Sequence, residues 1–231
     1  MIVKNLSLLE KKIGISFEDK NILQNVFIHR SYLNEHKQFF LPSNEKMEFL
    51  GDSVLSLVTS MYLFKHYAEL KEGDYTEIKA AIVRTESLAE AAKLLKLGDY
   101  LYLSKGQDKE GGRKNTNILA DCFEALIAGI FLDSNFETAY RFVLKFLFSE
   151  RLDAIVKNKL YLSPKSRLQE VTQSKIKLTP LYKVIDESGP EHNRVFKIAV
   201  YIKGRIYGYG TGKSKKEAEE QAAKKALEKM V

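Results

Sequence analysis

The segment Asn117 to Asp133, NILADCFEALIAGIFLD, constrains this chain more than any other. Read as a helix it is apolar on almost every face, so it belongs inside a domain with other helices packed around it. Two acids, Asp121 and Glu124, interrupt it three residues apart. Burying two carboxylates without partners is very costly. An intrahelical salt bridge and a bound metal ion both answer that cost, and the absence of Lys or Arg between Lys114 and Asp133 makes the ion at least as good an answer as the salt bridge. Oxygen-only ligands suit a hard cation, magnesium or manganese, over zinc.

A second acidic helix is expected over Asn44 to Met61, NEKMEFLGDSVLSLVTSM. At about 100° per residue, Glu45, Glu48 and Asp52 fall within an arc of roughly 60°. Met47, Leu50, Val54, Leu57, Val58 and Met61 cluster on roughly the opposite side, the side expected to anchor the helix in a core. A solvated acidic face explains three such acids equally well, although like charges at this spacing repel and call for compensation. Two acid-bearing helices facing each other would make a divalent-metal site able to activate water and stabilise the leaving oxygen of a phosphodiester. Glu72 and Asp74, in KEGDYTEIK, add acids ahead of another helix, where Asp74 and Glu77 also suit an N-terminal cap.

Residues 1–150 carry apolar patterns of helical spacing, broken at LPSN, EGD and KEGGRKN. The mixed stretch over 151–163 reads as a linker, ending where Ser163 and Pro164 suit an N-cap and first helical turn. From Pro164 the pattern becomes one helix, three strands and a last helix. The strands are expected at Leu181–Asp186, Val195–Ile202 and Arg205–Gly210, with Lys203-Gly204 as a tight hairpin turn. Ser214 and Glu217 form an S-x-x-E capping box for the last helix, whose Ala218, Ala222 and Ala226 can lie close against a sheet. The expected fold is multidomain, an all-α domain over 1–150 followed by a small α+β domain over 164–231.

Charge separates the two regions. Residues 164–231 hold 15 Lys/Arg and 8 Asp/Glu, while residues 1–163 hold 22 of each, so the net charge of +7 sits in the last third. Such segregation is an electrostatic footprint for a polyanion, although charge alone does not separate nucleic acid from anionic lipid. The longest apolar run, Ala125 to Leu132, is far below the length of a membrane span, and the N-terminus lacks a secretory apolar core. No membrane partner is expected. The single cysteine, Cys122, reads as a small core residue and leaves a reducing, cytoplasmic setting as the default. GTGKS invites a P-loop reading, but Tyr207 occupies the position where that motif needs glycine, so no nucleotide cofactor is expected.

These motifs carry a resemblance. NEKMEFLGDSVL is similar to the defining motif of the ribonuclease III family, and ILADCFEALIAG resembles that family's second acidic motif at the expected distance. With EGD, the HRS tripeptide at His29 to Ser31 and the C-terminal module, the likeness covers essentially the whole chain in the arrangement of the bacterial enzyme. It implies a magnesium-dependent endoribonuclease, with manganese as a substitute, that cuts double-stranded RNA and leaves 5′-phosphate, 3′-hydroxyl and a short 3′ overhang. It also implies Glu48, Asp52, Asp121 and Glu124 as the metal-binding catalytic acids, with Glu45 and Glu72 as auxiliaries of the acidic cleft. Family members act as homodimers, and Phe49 resembles residues of their interface. Ribosomal and messenger RNA processing are further expectations from the family.

The C-terminal pattern resembles a double-stranded RNA-binding domain, with PKSRLQE opening its first helix and GTGKSKKEAEEQAA leading into its last. A-form duplexes are read by shape, through 2′-hydroxyls of the minor groove and phosphates across the major groove. Ser166, Gln169 and Gln173 recur on helical spacing as minor-groove candidates, and His192 in the GPEHN loop is a candidate for the next groove. Lys213, Lys215 and Lys216 stand where a helix N-terminus also favours phosphate. Arg113 and Lys114 suit either phosphate or loop solvation. A non-catalytic RNA-binding protein with structural acids is the competing class, and a nucleotide phosphohydrolase a remote third.

Overall fold

A computed structural model of the chain describes residues 5–190 and 194–230. The chain divides into two compact units, Met1–Asn158 and Lys159–Val231. The first contains helices α1 (Ser7–Ile13), α2 (Lys20–Asn25), α3 (Arg30–Glu35), α4 (Glu45–His66), α5 (Glu72–Ile82), α6 (Thr85–Leu95), α7 (Lys105–Lys109), α8 (Thr116–Asp133), α9 (Phe136–Val143) and α10 (Ser149–Lys157). As its composition demands, α8 is the central helix: Ile118 to Ala120, Cys122, Phe123 and every residue from Ala125 to Ile130 are buried. It packs along α4 and α6. The Cys122 thiol is fully enclosed, and burial raises its pKa, as expected of a core residue.

Helix α4 buries Met47, Val54 and Val58 as expected, but Gly51, Leu55, Thr59 and Leu63 join them while Leu57 and Met61 stay about half exposed. Leu50 is intermediate. The reason is the close approach of α8 to Gly51, which turns the buried face of α4 toward Gly51 and Leu55. Phe49 (78% exposed), Leu57 and Phe64 (76%) are thereby left pointing outward.

Two expected breaks are helical. EGD forms the first turn of α5, where the Asp74 carboxylate accepts from the Lys71 backbone N–H at 3.2 Å. The stretch 151–163 begins inside α10, because Leu152 and Ile155, three residues apart, are buried.

The second unit runs α11 (Pro164–Ile176), β1 (Leu181–Ser188), β2 (Val195–Ile202), β3 (Arg205–Gly212) and α12 (Lys215–Met230), with the strands antiparallel in the order β1-β2-β3. Ser163 caps α11 by accepting from the Ser166 N–H at 3.1 Å, and Pro164 takes the first helical position. Lys203 and Gly204 have φ of 50° and 76°, so both turn residues between β2 and β3 adopt the positive φ of a type I′ hairpin. Leu168, Val200, Ile202, Ala222, Ala223 and Ala226 form the core. A Cβ on Gly208 would lie 2.4 Å from the Ala222 carbonyl oxygen, and one on Gly210 would lie 2.0 Å from that of Ala218. The alanine stripe and the strand glycines are therefore two halves of one close contact. Among the described residues no helix is long and apolar enough to cross a membrane.

Candidate active site

Helices α4 and α8 meet where a Cβ on Gly51 would stand 1.9 Å from the carbonyl oxygen of Glu124. Glu48 and Asp52 flank Gly51 on one helix, and Asp121 and Glu124 lie one turn apart on the other, so this contact draws the two acidic pairs together. Carboxylate oxygens of Glu48, Asp121 and Glu124 all lie within 4.8 Å of one another, and each residue is half-buried. Asp52 is exposed at the edge of this cluster, and its charge acts on both Glu124 and Glu48.

The proximity is electrostatically unfavourable. Burial, then the charges of Asp52, Glu48 and Asp121, raise Glu124 from 4.5 to about 8. Glu48 is also raised, first by burial and then by Asp121 and Glu45, while Arg30 opposes the shift. Burial raises Asp121 too, against its own backbone N–H and Arg30. These three groups therefore resist ionisation until a cation joins them.

The start of α4 is pinned by Asn44, which is buried. Its side-chain amide donates to the Val26 carbonyl at 3.0 Å, and its backbone N–H donates to that of Ile28 at 2.8 Å. Glu45 lies exposed just beyond, accepting from the Ser43 hydroxyl at 2.7 Å and facing an Arg30 guanidinium nitrogen at 3.6 Å. Arg30 was not visible as a site residue in the sequence. Its only signal was the HRS tripeptide, and nothing in local spacing connects residue 30 to residues 45, 48 or 121.

Glu72 lies elsewhere, exposed at the start of α5. It accepts from the Thr76 hydroxyl at 3.3 Å and lines a groove of about 480 Å³ with Met61, Phe64 and Tyr75. Arg113 has a structural role: it makes a paired contact to Asp108 at 2.9 and 3.0 Å and donates to the carbonyls of Gly98 and Leu101. Those four bonds fix the loop before α8.

In the second unit Ser166, Gln169 and Gln173 are exposed and line one shallow groove on α11. Lys213, Lys215 and Lys216 are exposed ahead of and along the first turn of α12. The Ser214 hydroxyl accepts from the Glu217 N–H at 3.2 Å, while the Glu217 carboxylate returns to the Lys213 N–H at 2.8 Å, one residue earlier than in a standard capping box. Lys215 stands 4.0 Å from Glu187 and over the Phe196 ring. His192 lies outside the described residues.

A helical unit that concentrates carboxylates between two packed helices, followed by a basic α-β-β-β-α unit, defines the class of a nuclease-like protein with its own duplex-binding module. Residues 19–151 match the family described as Ribonuclease-III-like, and residues 164–230 match the double-stranded RNA binding motif. The chain is 46% identical to "Ribonuclease 3" of Chloroflexus aurantiacus over 96% of its own length and 90% of the relative's. It is 44% identical to the Chloroflexus aggregans protein of the same name over 98% of each. The nuclease domain of ribonuclease III from Campylobacter jejuni aligns with a TM-score of 0.59 at 36% identity, covering 64% of this chain and 97% of that one. A second structure of that domain from Campylobacter jejuni, described as showing structural flexibility in a region involved in dimer formation, gives 0.58 at 37%, covering 62% and 96%. The chain belongs to the ribonuclease III family.

Proposed function

We propose that this protein is an endoribonuclease that hydrolyses double-stranded RNA at the cluster between α4 and α8. The observation that carries this reading is the convergence of Glu48, Asp121 and Glu124 within 4.8 Å in a chain that also carries a double-stranded RNA binding motif. The donor set fits a hard divalent cation: it is all oxygen, and its three members repel one another until such a charge joins them. Glu48, Asp121 and Glu124 hold the ion, magnesium or in its place manganese, and Asp52 completes the set at the exposed edge. When bound, it supplies charge for the phosphodiester and lowers the pKa of a water molecule. Glu45 serves as an auxiliary acid beside the cluster, and Glu72 as one at the separate groove that it lines on α5.

The second unit supplies the grip. Ser166, Gln169 and Gln173 face the minor groove together with His192, and Lys213, Lys215 and Lys216 meet phosphate. Two copies act together, joined through the apolar strip of Phe49, Leu57 and Phe64 on α4. A strip of that kind on a water-facing helix marks an interface, and a two-fold pair suits a substrate with a local dyad. Each copy cuts one strand, leaving 5′-phosphate, 3′-hydroxyl and a short 3′ overhang. Cytoplasmic ribosomal and messenger RNA precursors are the proposed substrates.

The test is cleavage of a long RNA duplex by the purified full chain with and without magnesium. Glu124→Gln is expected to abolish cleavage and keep duplex binding. Binding without magnesium-dependent cleavage by the wild type would instead indicate an RNA-binding protein with structural acids.

A further inference from the structure

The cleft described above contains five acids, Glu45, Glu48, Asp52, Asp121 and Glu124, and the proposed substrate is a polyanion. Bound divalent ions offset only part of that charge, so the approach of a phosphate calls for a cation belonging to the protein. Arg30 has the right position and is held there by specific bonds. The backbone on one side of it pairs with Tyr102: Tyr102 N–H donates to the Phe27 carbonyl at 2.8 Å, and His29 N–H donates to the Tyr102 carbonyl at 3.2 Å. On the other side the Ser31 hydroxyl accepts from the Ser104 N–H at 3.1 Å. His29 Nδ1 accepts from the Ser31 N–H at 3.2 Å, which makes the hydroxyl of Ser31, 2.8 Å away, its second donor. His29 and Ser31 are thus used to fix the backbone, and the residue between them is not.

The Arg30 side chain is 73% exposed, yet it lies 3.6 Å from Glu45 and its charge is felt by Glu48 and Asp121. A single long contact between two exposed charges contributes little to folding, so stability does not account for the placement. A planar, permanently charged guanidinium suits two oxygens of one phosphate better than it suits one distant carboxylate oxygen.

We propose that Arg30 is a substrate-contacting residue of this cleft, which leaves Glu45 and binds non-bridging phosphate oxygens of the RNA backbone beside the bond that is cut. This inference rests on the duplex-cleavage reading given above.

Arg30→Ala and Arg30→Lys test it in the full-length protein, both in the active chain and in Glu124→Gln, where binding is measured without cleavage. In the Glu124→Gln background with magnesium, Arg30→Ala is expected to weaken binding of a short RNA duplex by about tenfold or more. The dependence of log affinity on log salt should become shallower by about one for each Arg30 that reaches a phosphate. Arg30→Lys is expected to fall between, keeping the charge and losing the fork, and it carries the test should Arg30→Ala fail to fold. Unchanged affinity and salt slope in both variants would overturn the proposal. So would an activity loss explained by weaker manganese binding to the RNA-free protein, because that outcome makes Arg30 an organiser of the acids. Wild-type cleavage of the same duplex is the separate control: its failure removes the parent reading, whereas a cleaving wild type with an indifferent Arg30 removes this inference alone.

Discussion

The Cβ that Gly51 lacks would stand 1.9 Å from the carbonyl oxygen of Glu124. The obstructing atom belongs to a helix backbone, so no side chain can rotate aside, and any larger residue must push α4 and α8 apart. Gly51→Ala is expected to cost at least about 1–3 kcal/mol of stability. It should also reduce cleavage by roughly 100-fold, because the acids on either side of the contact separate with the helices. Gly106→Ala, at a position with nothing within 4 Å of the added carbon, is the matched control. Chemical unfolding and single-turnover cleavage of both variants check this; a Gly51→Ala protein as active and stable as the control would contradict it.

Glu124 ties stability to pH through its raised pKa. Between 4.5 and about 8 the native state holds a proton that the unfolded chain has released, so the native state binds more protons and stability falls as pH rises through that window. Glu48 and Asp121 are shifted in the same direction. Without divalent ions the melting temperature of the wild type is expected to decline from about pH 5 to about pH 8 more steeply than that of Glu124→Gln. Magnesium should restore more at the upper end than at the lower, since it competes with the proton for the same oxygens. Thermal melts across pH, with chelator and with magnesium, decide the matter; parallel curves for the two proteins would refute it.

Asp121 and Glu124 were legible in sequence because a helix apolar on nearly every face has no cheap place for acids. Glu45, Glu48 and Asp52 were legible because a helical wheel places them together. Leu57 and Met61 were misassigned to the core because apolar spacing identifies a face without naming what covers it. The helix over Ser149–Lys157 is hard to read from sequence because, among its described side chains, only Leu152 and Ile155 are buried, amid charged neighbours. Gly51 and Arg30 were beyond sequence reading for a different reason. Each matters through an atom more than ten residues away, at Glu124 or at Glu45, and periodicity reports only on near neighbours.

The outward strip on α4 yields a separate expectation. Phe64 is 76% exposed in the single chain, so replacing it leaves the core of the unit intact. If two copies meet on this strip, Phe64→Glu places a charge in the joint, and dimer dissociation should rise by at least about tenfold. Sedimentation over a concentration range reads the change, with thermal melting of the monomer as the folding check. An unaltered dimer would locate the interface elsewhere.

The start of α12 allows a graded test of phosphate binding. Lys216 has no ion pair among the described residues, whereas Lys215 stands 4.0 Å from Glu187 and rests on Phe196. A lysine that contacts phosphate contributes about one to the salt slope, and one that must first leave a carboxylate contributes less net affinity. Lys216→Ala is therefore expected to weaken duplex binding more than Lys215→Ala, and the double variant to flatten the slope by about two. The loss should be the same for duplexes of unrelated sequence, because the contacts are to backbone. Titrations of two such duplexes at several salt concentrations test both points. A slope equal to the wild type's in the double variant would remove these lysines from the interface and shift the grip to α11, where Ser166, Gln169 and Gln173 share a groove.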